Sequence, residues 1–227
     1  LGLHEKPEVS KAQNSYNCPV VTGYPDVARL NIDRLNSEEI NFIHPHVAIE
    51  SDAAIVKTLF ETLRQFGVTK SELRRAAKVA AAARAEYKSD IESIGREALD
   101  YLKANGGIGV VLAGHPYHLS PEVNHGIPAL INSFGVTLFT EDSVTPLAEE
   151  IEKDDEVTSL DQWVYHSRLY RAAMVTARHP DFANVALVQM NSFGCGLDAI
   201  STEQTADILR SAGKLHTLIK IDEGKNN

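Results

Sequence analysis

Val185-Ala186-Leu187-Val188-Gln189-Met190, running into Asn191-Ser192-Phe193-Gly194-Cys195-Gly196-Leu197-Asp198, reads as a strand that breaks on a glycine-flanked loop. A short aliphatic run bounded by turn residues fits a strand of a sheet covered on both faces. Beyond it, Ser201-Thr202-Glu203-Gln204 has the capping-box spacing and predicts a helix from Ser201 to Gly213. One of the chain's two cysteines therefore falls where a strand hands over to a helix, the edge at which α/β sheets bind ligands.

The same alternation extends on both sides of this stretch. Ile108 to Ala113 reads as a buried strand. Ser120-Pro121-Glu122 predicts a helix start, with serine as N-cap and proline at the first position, and Gly135 as the end. Val136 to Phe139 is the next strand. Ser159-Leu160-Asp161-Gln162 is a second capping box, opening a helix that carries Trp163, Tyr170 and Met174 to about Arg178. Leu215 to Ile219 is the last strand. Strands separated by helices imply right-handed crossovers, so the expected fold is α/β, a parallel flavodoxin-like or Rossmann-like sheet flanked by helices.

Toward the amino end the pattern changes. Residues 1–16 read as loop or linker, Pro19-Val20-Val21 as a short strand before a helical turn from Pro25 to Asn31, and Asn41-Phe42-Ile43-His44 as another strand. Ile55, Leu59, Leu63 and Phe66 recur at helical spacing after Ser51, with Gly67 at the C′ position. Thr69-Lys70-Ser71-Glu72 is a capping box for a helix reaching Lys103, with Leu73, Ala77, Ala80, Tyr87, Ile91, Ile94, Ala98 and Leu102 as its stripe. A helix of roughly 35 residues spans about 50 Å, a length suited to joining lobes, with Gly95 a place to bend or break. The expected organisation is a partial N-terminal lobe carrying Cys18 over residues 1–50, a helical connector over 51–105 and a parallel α/β domain over 106–227. The chain opens on Leu1 rather than methionine, so it reads as a piece of a longer protein.

The chain has 227 residues, 43% of them hydrophobic, and a net charge of −9. That balance, without a compensating basic block, argues against nucleic-acid or anionic-membrane binding. The apolar runs are too short to span a bilayer and no leader pattern opens the chain, so the expected location is cytoplasmic. Two cysteines make no disulfide framework and suit a reducing compartment.

Candidate chemistry sits on loops. Gly194 and Gly196 leave the Cys195 thiol open to a bulky group, and a helix start beside it favours a thiolate. Cys18 lies in a similar junction, Asn17-Cys18-Pro19-Val20-Val21-Thr22-Gly23-Tyr24. Each has a plain alternative, a small thiol buried in a turn. Gly114-His115-Pro116-Tyr117-His118-Leu119-Ser120 follows a strand at the same sheet edge. There His115 and Tyr117 are expected to line a cleft, with a metal site on His115, His118 and His125 the lesser reading, since His125 falls inside the expected helix. Glu141-Asp142-Ser143 reads as an acidic turn capping a helix, and His44 and His46 as loop residues flanking Pro45. No dinucleotide or P-loop fingerprint is present.

Cys18-Pro19-Val20-Val21-Thr22-Gly23-Tyr24-Pro25, Leu112-Ala113-Gly114-His115-Pro116-Tyr117-His118, Asn124-His125-Gly126-Ile127-Pro128, Gln189 to Gly196 and Lys220-Ile221-Asp222-Glu223 together resemble the large activase-related proteins of the 2-hydroxyacyl-CoA dehydratase and benzoyl-CoA reductase superfamily. The resemblance implies an iron–sulfur cluster-holding component of an ATP-driven, low-potential electron-transfer system in anaerobic metabolism, part of a reductase or dehydratase. It implies a [4Fe–4S] or larger cluster on Cys18 and Cys195, with a further ligand outside this chain, so that the fragment alone is inactive and without its cluster. His115, Tyr117, Gly194 and Gly196 would line the cleft. The implied partners are an activator ATPase, fused or separate, and an acyl-CoA or other small molecule; a homo-oligomer is compatible. The rival expectation is a non-catalytic domain that docks the ATPase through its long helix, its cysteines structural. A third is a hydrolase with Cys195 as nucleophile and a histidine as base.

Overall fold

A computed structural model describes residues 2–5, 16–37, 39–151, 163–192 and 194–221. The chain divides into two compact units, residues 1–87 with 161–164, and residues 88–160 with 165–227.

In the first unit, strands β1 (Gly2–Glu5) and β2 (Val47–Ile49) pair in parallel. Helix α1 spans Pro19–Asn31, where the sequence reads as a short strand followed by a single turn. Pro19 decides this: at the first helical position its missing N–H leaves nothing unsatisfied, and it overrides the strand preference of Val20 and Val21. Asn41 to His44 form no strand; the strand lies at Val47–Ile49, beyond Pro45. Helix α2 (Asp52–Leu63) begins as expected, with Ser51 Oγ accepting the Ala54 N–H, and its last turn ends on left-handed Gly67.

Helix α3 (Lys70–Asn105) is continuous for 36 residues. Its capping box forms in full: the Glu72 carboxylate accepts the Thr69 N–H at 2.9 Å and Thr69 Oγ1 accepts the Glu72 N–H at 3.2 Å. The boundary between the units falls inside it, after Tyr87. Leu73 and Ala77 pack with Val56 of α2, while Leu99 and Leu102 enter the core of the second unit. Ala80, Tyr87 and Ile94 of the expected stripe are exposed, because the two ends of α3 serve different cores. Gly95 does not break the helix. A Cβ there would stand 2.5 Å from the Ser143 carbonyl oxygen, so glycine permits close approach instead.

The second unit holds β3 (Gly109–Ala113), α4 (Ile127–Ser133), β4 (Thr137–Thr140), α5 (Glu141–Val144), α6 (Val164–Arg178), β5 (Val185–Ser192), α7 (Gly196–Ser211) and β6 (His216–Ile221). Its four strands are all parallel in the order β4-β3-β5-β6. Val111, Ala113, Val185 and Leu187 face a core shared with α3, α6 and α7; Leu112 and Met190 face the opposite side, against Ile127 and Ile131 of α4. This is the expected doubly wound parallel architecture, and its strand order follows the flavodoxin-like pattern. The chain runs from β3 outward to β4 and then returns to β5 on the other side of β3. The crevice beyond the carboxyl ends of β3 and β5 is therefore the topological switch point.

Three helix boundaries differ from expectation, two of them at this edge. After β3 a 3-10 turn (Pro116–Leu119) and a run of turns precede α4, which starts at Ile127 and not at Ser120; Ser120 Oγ instead bonds the Glu122 carboxylate. His125 accordingly sits in a turn at φ 50°, not in a helix. α7 starts at Gly196, five residues before Ser201, which is buried inside it and bonds the Asp198 carbonyl. Trp163 lies ahead of α6 and belongs, like Tyr16, to the first unit, where the two form a parallel bridge. The Ser159 capping box, the last part of the acidic stretch Glu149 to Glu156 and most of the 1–16 segment fall outside the described residues.

Candidate functional site at the switch point

Gly114 sets the first loop. At φ 151° it adopts a conformation that side chains rarely take, and a Cβ would stand 2.6 Å from His118 Nδ1 and 2.7 Å from the Met190 carbonyl oxygen. Glycine here lets the chain fold tightly over the end of β5 and directs His115, Tyr117 and His118 into the crevice. His118 is buried, and its Nδ1 accepts the His115 N–H at 3.0 Å. Burial, reinforced by the charge on His115, lowers its pKa to about 4. The ring is therefore neutral at physiological pH with its proton on Nε2, which donates to Ser192 Oγ at 2.9 Å. Ser192 Oγ also lies 2.9 Å from the Tyr117 hydroxyl, and the half-exposed Tyr117 ring stacks on His115 at 5.0 Å and 6°.

The second loop comes from β5. Cys195 occupies the N-cap position of α7 and is partly buried. Starting α7 at Gly196 puts Asp198 at its third position, where a carboxylate suits the positive end of the helix dipole. One carboxylate oxygen accepts the Ser192 N–H at 2.9 Å and the other accepts from His115 Nε2 at 2.6 Å. Burial alone would raise the Asp198 pKa. The His115 hydrogen bond, the His115 charge and the Ser192 N–H outweigh it, so the carboxyl stays below its ordinary range and ionised. The ligand atoms of Cys195, His115 and Asp198 all lie within 4.8 Å of one another. The loop thus joins the expected thiol to the expected histidine. A Cβ at Gly194 or Gly196 would meet nothing within 4 Å.

Two further groups close the site. His166, in the first turn of α6, is 5% exposed; its ring meets His115 edge-on at 5.6 Å, and Nε2 stands 3.9 Å from Asp198. Neither of its ring nitrogens has a hydrogen-bond partner among the described residues. Burial lowers its pKa to about 4, with the His115 charge adding to the effect. Glu141, 2% exposed at the end of β4, accepts the Gly114 N–H at 3.2 Å and pairs with Arg168 at 3.3 Å. Burial nonetheless raises its carboxyl to about 7. Ser143 caps this turn, as the acidic-turn reading expects, by accepting the Thr140 N–H.

The remaining expected residues lie elsewhere. Cys18, at the N-cap position of α1, belongs to the first unit, and neither cysteine is disulfide-bonded. His44 and His46 stand near Asp26 in that unit, at 3.8 and 3.7 Å. Sequence reasoning did not single out Asp198 or His166. Asp198 had a readable signal, its place three residues after Cys195, but this was hidden by placing the helix start at Ser201. His166 had none.

Residues 3–144 match the family described as CoA enzyme activase uncharacterised domain, well over half of the chain. The chain belongs to this CoA enzyme activase domain family. No curated protein and no solved structure matches it. The matched region carries Cys18 and the His115 loop of the activase domain, while Cys195, Asp198 and His166 lie beyond it. No described helix of this family member is long and apolar enough to cross a membrane.

Proposed function

We propose that the chain is the cluster-holding component of an ATP-driven, low-potential electron-transfer system related to the 2-hydroxyacyl-CoA dehydratases and their activators. The observation that carries this reading is Cys195, a thiol at the mouth of the switch-point crevice with an imidazole and a carboxylate within 4.8 Å. A thiol, an imidazole and a carboxylate suit iron. Family membership supports the coupling to an activating ATPase and to acyl-CoA chemistry.

In this reading Cys195 would hold one iron of an iron–sulfur cluster, with the remaining ligands supplied from beyond the crevice, since a cubane takes three or four thiolates. The bound cluster supplies one-electron chemistry at low potential. The chain's own residues prepare the surroundings. Asp198 holds the His115 ring in place through Nε2, and the stacked Tyr117 ring covers that pair. His118, Ser192 and Tyr117 form a hydrogen-bonded row from the buried edge of the sheet to a half-exposed hydroxyl, which holds the loop after β3 against the end of β5.

Anaerobic production followed by iron and acid-labile sulfide analysis tests the proposal. Produced together with the partner that supplies the other ligands, wild type carries both, and Cys195→Ala is depleted in both. Undiminished iron and sulfide in that variant would overturn the assignment.

A further inference from the structure

His166 poses the question. A buried imidazole with two unsatisfied nitrogens costs about 1–3 kcal/mol per missing hydrogen bond, so its retention in a packed core calls for a partner. Its Nε2 faces Asp198 at 3.9 Å, and its ring abuts His115, the two residues that already surround Cys195. The residue comes from α6, so the crevice is bounded by three elements: the loop after β3, the start of α7 and the first turn of α6.

We infer that Cys195, His115, Asp198 and His166 form a mixed-donor site for a single divalent transition-metal ion of the zinc or ferrous class. This rests on the reading of Cys195 as a metal-bound thiolate, and not on the cluster or on Cys18. All four donors belong to one compact unit. Around a tetrahedral ion with bonds of about 2.0–2.3 Å, ligand atoms stand roughly 3.3–3.6 Å apart. The present separations bracket that: 2.6 Å between His115 and Asp198, 3.9 Å between His166 and Asp198, and up to 4.8 Å among the Cys195 set. His166 stands outside the group of three that lies within 4.8 Å and adjoins it through Asp198, so closure needs the His166 ring to rotate toward the other donors. A dication replaces the lone His115–Asp198 hydrogen bond, supplies the missing partner of His166 and offsets the buried Asp198 charge. Nitrogen, oxygen and sulfur together favour zinc, ferrous iron or cobalt over magnesium or calcium, which take oxygen donors.

The test is an anaerobic Co2+ titration of the full chain, stripped with chelator and free of sulfide, read by absorbance. The expected result is one Co2+ per chain with a thiolate-to-metal charge-transfer band and tetrahedral ligand-field bands. Cys195→Ala loses the charge-transfer band, and Cys18→Ala keeps both stoichiometry and spectrum. His166→Leu weakens binding at least about tenfold. The metal-free His166→Leu protein melts no lower than wild type, because an unsatisfied polar group is removed. No binding, unchanged affinity in His166→Leu, or loss of binding in Cys18→Ala would overturn the inference. A protein that carries iron and sulfide yet binds no Co2+ when stripped keeps the cluster reading and rejects this one; one that binds Co2+ as described but never carries sulfide does the reverse.

Discussion

Glu141 is the residue whose environment is most at odds with its chemistry. It opens α5, just beyond β4, in full burial, with Arg168 and the Gly114 N–H as partners and Asp142 and His115 as the other nearby charges. Burial wins, and the folded-state pKa rises from 4.5 to about 7. A carboxyl raised in this way contributes stability that is complete below the unfolded pKa and is lost as pH rises through the folded one. The loss for Glu141 therefore runs from about pH 4.5 to 7, and at about 1.36 kcal/mol per unit it is on the order of 3 kcal/mol. His118 and His166 act in the opposite sense, their contribution present above 6.5 and lost as pH falls toward 4. Glu141→Gln keeps an acceptor for Gly114 and removes the ionisation. Relative to wild type, its urea midpoint is expected to rise steadily between pH 4.5 and 7.5; parallel curves for the two proteins would contradict this. The residues of the site were unequally readable. His115 and Cys195 were legible because each follows an aliphatic strand and sits beside a glycine. His166 was not, because a single histidine on a helix carries no spacing signal, and only the packing of α6 brings it to Asp198.

Among the elements, α3 shows most clearly how local and long-range physics divide the work. Its start follows from the Thr69–Glu72 box, and its length from the absence of a proline between Lys70 and Asn105. Which side chains it buries could not be read from one stripe, since Leu73 and Leu102 belong to separate cores. Gly95 looks like a helix breaker in sequence, yet it is a contact point with α5. Alanine usually gains about 1 kcal/mol over glycine inside a helix. Here the added Cβ would meet the Ser143 carbonyl oxygen at 2.5 Å and Ser143 Cβ at 3.0 Å, backbone that cannot step aside without moving α5. Overpacking of this kind costs about 1–3 kcal/mol, so Gly95→Ala is expected to lower the denaturant midpoint with an unchanged slope. A midpoint above wild type would show that α5 yields. α1 and α7 were misjudged for related reasons. Pro19 outweighed two β-branched residues, and Cys195 served as an N-cap where Ser201 has the better capping chemistry. Capping preference selects among possible starts, but the end of β5 dictates where the chain must turn.

On the scale of the whole molecule, the parallel sheet was legible because its strands are short aliphatic runs separated by helical patterns, and chirality leaves few ways to connect them. The order β4-β3-β5-β6 was not written in any single segment, yet it makes the edge of β3 and β5 the crevice where His115, Cys195 and Asp198 meet. The first unit supplies Cys18 and most of the residues matched to the activase domain family, while the second supplies the imidazoles and the carboxylate beside Cys195. The proposed chemistry requires Cys195 Sγ to be bonded to a metal in that crevice. X-ray absorption at the metal edge of the anaerobically loaded protein measures this bond directly. The predicted spectrum contains a sulfur scatterer at about 2.3 Å that Cys195→Ala reduces or abolishes. A wild-type spectrum with only nitrogen and oxygen neighbours, or a sulfur shell unchanged by Cys195→Ala, would contradict it.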